Sequence, residues 1–393
     1  MVQATAAAVG LQAAAPAASE ECPEAEASSP AANFKTFPLV QNEVSNPEGE
    51  CILISLAERV LPDHWRSWVA ENASLNIDEQ QIEQHAAAMG VDLDLVREEL
   101  QRIKGDPCLE VAGRIVQKLR KLESILQIRV ETFRQNTVPF QIATRNALTA
   151  AAFRTSFYAR NRPVKLLNLI DHWPALHKWN PEYFRDLYGT ETVEIITSRN
   201  SDANYEINIE HHRQQVQFSH FIERVASPDT GNDCYLVANN HFFEQPQFHN
   251  LLTDVGPLQG YLTIKRRAPH TYLWFGPEGT ITRLHHDELN ILLCQIYGRK
   301  RITLISPDQT PWLYNEVGVF SEVDLENPDL ERHPLFRYVE PVEVILNPGE
   351  ILFIPVGWWH HVRSLDVSIS VSATNFTFPN HYSWNNPDIR RSI

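Results

Sequence analysis

His285 and Asp287 stand out first in this 393-residue chain. They end the stretch Gly279-Thr280-Ile281-Thr282-Arg283-Leu284-His285-His286-Asp287, which alternates and carries β-branched residues, the pattern of a strand. Residues two apart in a strand project from one face. An imidazole and a carboxylate therefore stand together, and His286 points the other way. A second stretch, Asn347-Pro348-Gly349-Glu350 through Trp358-Trp359-His360-His361, is a turn, an apolar strand, another break, and a histidine behind two tryptophans. His360 can meet the first pair from across a barrel. Two histidines and one carboxylate on one face of an octahedral metal leave three positions open, the ligand set of non-haem Fe(II) oxygenases. Alone, His285-x-Asp287 reads as readily as a polar strand face, because the chain has 16 histidines.

Such a site needs a rigid frame, and the chain supplies two textures. Residues 1–48 are rich in Ala, Glu, Pro and Ser and have little to bury, the composition of a disordered tail. Residues 49–135 form a helical subdomain. Asn76-x-x-Glu79 resembles a capping pair, Gly90 closes that helix, and Asp92 caps the next. Asp106-Pro107 opens a long helix to Arg134, with Ile115, Leu119, Leu122, Leu126, Val130 and Phe133 on one face. That face suits packing within the subdomain or a homodimer contact. Residues 136–380 carry short strands separated by turns: Val164–Ile170, Thr192–Thr197, Cys234–Val237, Tyr261–Arg266, Thr271–Gly276, Ile291–Tyr297, Lys300–Ile305, Val342–Leu346, Ile351–Pro355 and Val367–Ala373. Phe218 to Val225 reads as a helix. The pattern predicts an α+β fold with an antiparallel jelly roll rather than a parallel sheet. Residues 381–393 form a short tail.

Composition narrows the function. A net charge of −15 argues against general nucleic-acid binding. Five cysteines, an odd number with no CxxC pair, argue against a disulfide framework and for a reducing compartment, the cytoplasm. The Ala-rich start lacks the basic residues of a secretory signal, and no apolar run approaches a membrane span.

Taken together, Trp274-Phe275-Gly276-Pro277, Gly279-Thr280, Leu284-His285-His286-Asp287, Gln295-Ile296-Tyr297-Gly298-Arg299-Lys300 and Pro348-Gly349-Glu350 through His361 resemble the JmjC (jumonji-C) domain of the cupin superfamily. The similarity runs from about Lys165 to Phe376 and is nearest to hydroxylase-type members such as factor inhibiting HIF and to bacterial cupin-like proteins. It implies a double-stranded β-helix that binds Fe(II), uses 2-oxoglutarate and O2, and releases succinate and CO2. By position it implies His285, Asp287 and His360 as iron ligands. It implies Lys300, thirteen residues after Asp287, as the cation for the distal carboxylate of 2-oxoglutarate. Thr282, Tyr235 and Asn375 match further co-substrate contacts. His360 rather than His361 matches because the family ligand directly follows the tryptophan.

The residues themselves qualify this. Thr282 is three before His285, the wrong parity for a shared face, so its role requires a bulge. Related hydroxylases carry asparagine four residues after the metal aspartate. Here that position is Ile291 and the asparagine is Asn290, on the other face of a regular strand. Lys300 between Arg299 and Arg301 also reads as a solvated basic turn, and Tyr235 as a core tyrosine. Trp358 and Trp359 read as packing, and His211, His212 and His220 as surface. The functional expectation is hydroxylation of an amino-acid side chain in a protein or peptide. A small-molecule hydroxylase, an N-demethylase, a cupin with another co-substrate and a non-catalytic metal- or ligand-binding cupin stay open.

Overall fold

The computed structural model describes residues 60–135, 141–238, 241–265, 267–315, 318–380 and 382. The tails expected at 1–48 and 381–393, Tyr382 apart, lie outside them. The chain forms two compact units, one up to Lys121 and one from Leu122.

The first unit holds helices α1 (Asp63–Ser74), α2 (Glu79–Ala88), α3 (Leu93–Ile103) and the first half of α4 (Pro107–Arg134). Its core gathers Trp68, Val69, Ile82, Ala86, Val96 and Leu100. Asp92 caps α3 as expected, its carboxylate accepting from Asp94 N. The cap of α2 differs: Asp78, not Asn76, accepts from Gln80 N. Asn76 instead takes a left-handed turn at φ 56°, a conformation asparagine tolerates. On α4 the residues Ile115, Leu119 and Leu122 remain more than half exposed.

The second unit contains thirteen strands among its described residues: β1 (Ala143–Asn146), β2 (Val164–Leu167), β3 (Thr192–Thr197), β4 (Arg213–Gln217), β5 (Cys234–Tyr235), β6 (Thr271–Gly276), β7 (Ile281–His285), β8 (Ile291–Tyr297), β9 (Lys300–Ile305), β10 (Val342–Leu346), β11 (Ile351–Ile354), β12 (Trp359–Ser364) and β13 (Ser368–Ala373). From β6 onward the chain winds between two sheets. One has the order β1-β2-β11-β8-β13-β6, the other β10-β9-β12-β7. A third sheet, β4-β3-β5, stands beside them. Apart from the parallel pair β1 and β2, every ladder is antiparallel. This is a double-stranded β-helix in an α+β chain.

Strand alternation separates two cores. On β13, Ile369 and Val371 join the aromatic-rich core that includes Phe153, Trp173, Phe184 and Phe275. Ser370 and Ser372 face the other way: Ser370 donates to Gln295 Oε1 at 2.7 Å, and Trp274 Nε1 donates to Ser372 at 2.8 Å. A second cluster of Leu293, Ile302, Leu304, Leu352, Ile354 and Val362 draws on both sheets and fills the space between them. Two expectations change. Tyr261–Arg266 forms no strand over its described residues; Leu262 makes only isolated bridges, to Gln259 and Phe376. His212 is buried rather than surface, because its ring nitrogens meet Thr197 O and Asp202 Oδ2, each at 3.1 Å. No described helix is long and apolar enough to cross a membrane.

Candidate metal and co-substrate site

His285 closes β7, Asp287 follows in the next loop, and His360 sits on the neighbouring β12, directly opposite His285. One ligand atom from each of the three falls within 4.8 Å of the others, the one His/Cys/Asp/Glu cluster of this kind among the described residues. His360 Nε2 lies 3.3 Å from Asp287 Oδ2, and the two imidazole centroids are 4.1 Å apart. The loop bearing Asp287 is tied to the turn before β12, where Gly357 N donates to Asp287 O.

Backbone carbonyls set both ring orientations. His285 Nδ1 donates to Arg283 O at 2.7 Å, and His360 Nδ1 donates to Trp358 O at 3.0 Å. A carbonyl only accepts, so each Nδ1 carries a proton and each Nε2 is the nitrogen left to face a metal. Burial, with His360 alongside, pushes the His285 imidazole down to about 4, so it is unprotonated at neutral pH. Burial works against ionising Asp287, but the hydrogen bond and charge of His360 outweigh it and hold the carboxyl at about 2. Two imidazoles aimed by backbone carbonyls and an ionised carboxylate fit a divalent Fe(II).

The co-substrate candidates divide. Lys300 is 1% exposed, which removes the solvated-turn reading. Lys300, Ile302 and Leu304 pair with Ser364, Val362 and His360, so the lysine shares the inner face of β9 and β12 with the second histidine. Its Nζ donates to Tyr235 Oη at 3.2 Å. Burial pushes the ammonium down to about 7. A buried lysine bonded to a phenol is a chemical fit for an incoming carboxylate. Tyr235 is itself buried, and burial raises its phenol despite the opposing charge of Arg199 and the hydroxyl of Thr282 beside it.

Thr282 reaches this group through a bulge. Thr282 pairs with Val362 and His285 with His360, so three steps along β7 match two along β12. The extra residue corrects the parity, bringing Thr282 and His285 to one face.

Asn375 stands elsewhere. Its Nδ2 donates to Thr263 O, and its Oδ1 is buried without a hydrogen-bond partner, in a pocket with Trp173, Arg267 and Val371 that no member of the triad lines. Asn290 does not turn toward the triad either. Its side chain is spent on Asn380 Oδ1, Tyr382 Oη and Val356 N, which fasten the C-terminal segment to the start of β8. Ile291 pairs with Ile354 in the ladder. His286 packs edge-on against Trp359, and His361 is buried 3.7 Å from Glu326. Trp358 and Trp359 donate to Asn161 and Thr310, the packing role expected of them.

Sequence reading missed the supports. Phe320 bridges to His285 in a short antiparallel contact, its ring 5.8 Å from the imidazole. Arg199, Glu206 and Asn232 line the outer edge of β7. No periodicity marks them, because they lie in irregular segments long before the metal strand.

The profile of the cupin-like domain family matches residues 150–381, more than half of the chain. The chain is a JmjC-type cupin. This JmjC cupin is 36% identical to Lysine-specific demethylase 8 of Xenopus tropicalis over 56% of the chain and 49% of the relative. It is 34% identical to Jumonji C domain-containing protein 5 of Drosophila melanogaster over 56% of each. It is 40% identical to human HSPB1-associated protein 1 over 54% of the chain and 47% of the relative. It thus spans about half the length of these relatives.

Proposed function

We propose that this chain oxidises an amino-acid side chain of a protein or peptide, coupled to conversion of 2-oxoglutarate and O2 to succinate and CO2. One observation carries the reading: two histidines pre-oriented by backbone carbonyls converge with Asp287 on the barrel face that also buries Lys300. His285, Asp287 and His360 would hold Fe(II), which supplies the oxidising chemistry when bound. Lys300, with Tyr235 and Thr282, takes the distal carboxylate of 2-oxoglutarate. An ammonium and two hydroxyls match the acceptor oxygens of a carboxylate, and apolar walls from Leu293, Ile302 and Val362 keep water from competing. Asn375 enters this reading only through the resemblance; its side chain is held by Thr263 O in a pocket apart from the triad.

Hydroxylation is the favoured outcome. The names of relatives such as Lysine-specific demethylase 8 support N-demethylation of lysine as the second reading. The free thiols Cys108, Cys234 and Cys294 are consistent with a cytoplasmic location. The test is succinate formation by purified protein with Fe(II), ascorbate and 2-oxoglutarate, beside Asp287→Ala. Turnover that the substitution abolishes supports the class. No turnover and no 2-oxoglutarate binding would leave a non-catalytic cupin. With a peptide substrate, a gain of one oxygen atom marks hydroxylation, and formaldehyde marks demethylation.

A further inference from the structure

The strand that carries the first histidine lies at an open edge. β7 is the outermost strand of its sheet, so the backbone groups it turns away from β12 have no strand to meet. Four side chains meet them, Tyr205 Oη donating to Ile281 O at 3.4 Å beside the three that follow. Ile281 N donates to Asn232 Oδ1 at 2.8 Å, Arg199 Nη2 donates to Ile281 O at 2.5 Å, and Arg283 N donates to Glu206 Oε2 at 3.0 Å. Farther along, Ser321 N donates to Leu284 O and His286 N to Val319 O, so a backbone segment takes over where the side chains stop.

The side-chain clamp is a built object. Arg199 is 1% exposed. It pairs with Glu206 at 3.3 Å, donates to Asn232 Oδ1 at 2.8 Å, and lies 4.2 Å from the ring centroid of Tyr205 and 5.3 Å from that of Tyr235. Arg283 lies in the bulge between the Thr282 and His285 pairings. Its N–H is held by Glu206, and its carbonyl receives the Nδ1 proton of His285. A carboxylate thus fixes the residue whose carbonyl aims the imidazole.

We propose that Glu206, paired with Arg199, is a positioning residue for the metal site: by anchoring Arg283 it sets the bulge and the direction of His285 Nε2. The proposal rests on the metal-site reading above. It explains why an ion pair is buried here without touching the ligands. A regular edge strand would slip out of the bulged register, moving Thr282 and His285 to opposite faces.

Co(II) alone, bound to the metal-free full chain and followed by its visible absorption, provides the test. Wild type should bind Co(II), and His285→Ala should abolish the band; if wild type gives no band or His285→Ala keeps it, the metal-site reading itself fails. Glu206→Gln keeps the shape but offers a weaker, uncharged acceptor, and should weaken Co(II) binding about 3- to 10-fold. Arg199→Met/Glu206→Leu removes both charges together, avoiding a lone buried ion, and should weaken it about 10- to 100-fold with an altered spectrum. Far-UV circular dichroism and cooperative melting report whether each variant folds. A folded variant with wild-type Co(II) affinity and spectrum overturns the proposal. If the double variant does not fold, the isosteric Glu206→Gln decides alone.

Discussion

Replacing Lys300 with Met separates what the lysine does for the fold from what it does for a ligand. Burial lowers this ammonium from its ordinary value near 10.5 to about 7. Above pH 10.5 the group is neutral in both folded and unfolded chains and has no effect. As the pH falls toward 7, the unfolded chain takes up a proton that the folded one refuses. Stability then declines by about 1.4 kcal/mol per pH unit and levels off below about 7. At neutral pH the buried lysine therefore costs the ligand-free fold on the order of 4 kcal/mol. Methionine fills similar space without a charge, so Lys300→Met should melt several degrees above wild type. Binding should move the other way. Charge-assisted hydrogen bonds contribute about 1.5–3 kcal/mol, so 2-oxoglutarate should bind the variant roughly 10- to 150-fold more weakly. Wild-type affinity should also fall about tenfold per pH unit above about 7, because the neutral amine must gain a proton to hold the carboxylate. The variant should lose that dependence. Anaerobic calorimetry with Mn(II) between pH 6 and 8.5 reads both effects. Equal affinities for wild type and Lys300→Met, or a wild-type affinity flat across that range, would refute the assignment.

Three further outcomes follow from the same geometry. Tyr235→Phe and Thr282→Val each remove one hydroxyl while keeping the shape, and each should weaken 2-oxoglutarate about 2- to 10-fold in that assay; unchanged affinity in both would free these hydroxyls of any contact. Gly298 turns β8 into β9 at φ 65°, and an added Cβ would lie 2.1 Å from Val367 O. Gly298→Ala should thus destabilise the chain by roughly 1–3 kcal/mol, read as a lower urea midpoint, and an unshifted midpoint contradicts the packing. Val111, Ile115 and Leu119 are exposed on α4, and the homodimer contact, the alternative to packing within the subdomain, is open to test there. Light scattering should show a dimer that Ile115→Glu dissociates, whereas a monomer at all concentrations removes that contact.

Local pattern was enough for most of the frame. Apolar runs and turn residues such as Gly298 placed β6, β8, β9 and β10 at their observed bounds; burial alternates along β10 and much of β6, whereas β8 and β9 are buried on both sides. Alternation gave His285 and Asp287 one face; they do converge, but β7 ends at His285 and Asp287 lies in the loop after it. The long helix Pro107–Arg134 opened where Asp106-Pro107 said it should. The motifs from Trp274 to His361 were specific enough to give the family and the likeness of Lys300 to a co-substrate anchor. Tyr261–Arg266 misled because Tyr261 and Leu262 serve the aromatic core from an irregular segment rather than a ladder, while Ile264 stays exposed.

The rest depends on partners distant in sequence. Thr282 joins the face of His285 through a bulge, and a bulge is a mismatch between two strands that neither strand encodes alone. Asn290 is claimed by Asn380 and Tyr382, about ninety residues away. Lys300 became a buried cation only when β12 and Tyr235 closed over it. Arg199 and Glu206 reach the metal strand from some eighty residues upstream, meeting backbone groups that every residue possesses and that leave no trace in side-chain type. Sequence thus determined which groups could do the chemistry, and the packing of distant segments determined how they are aimed and held.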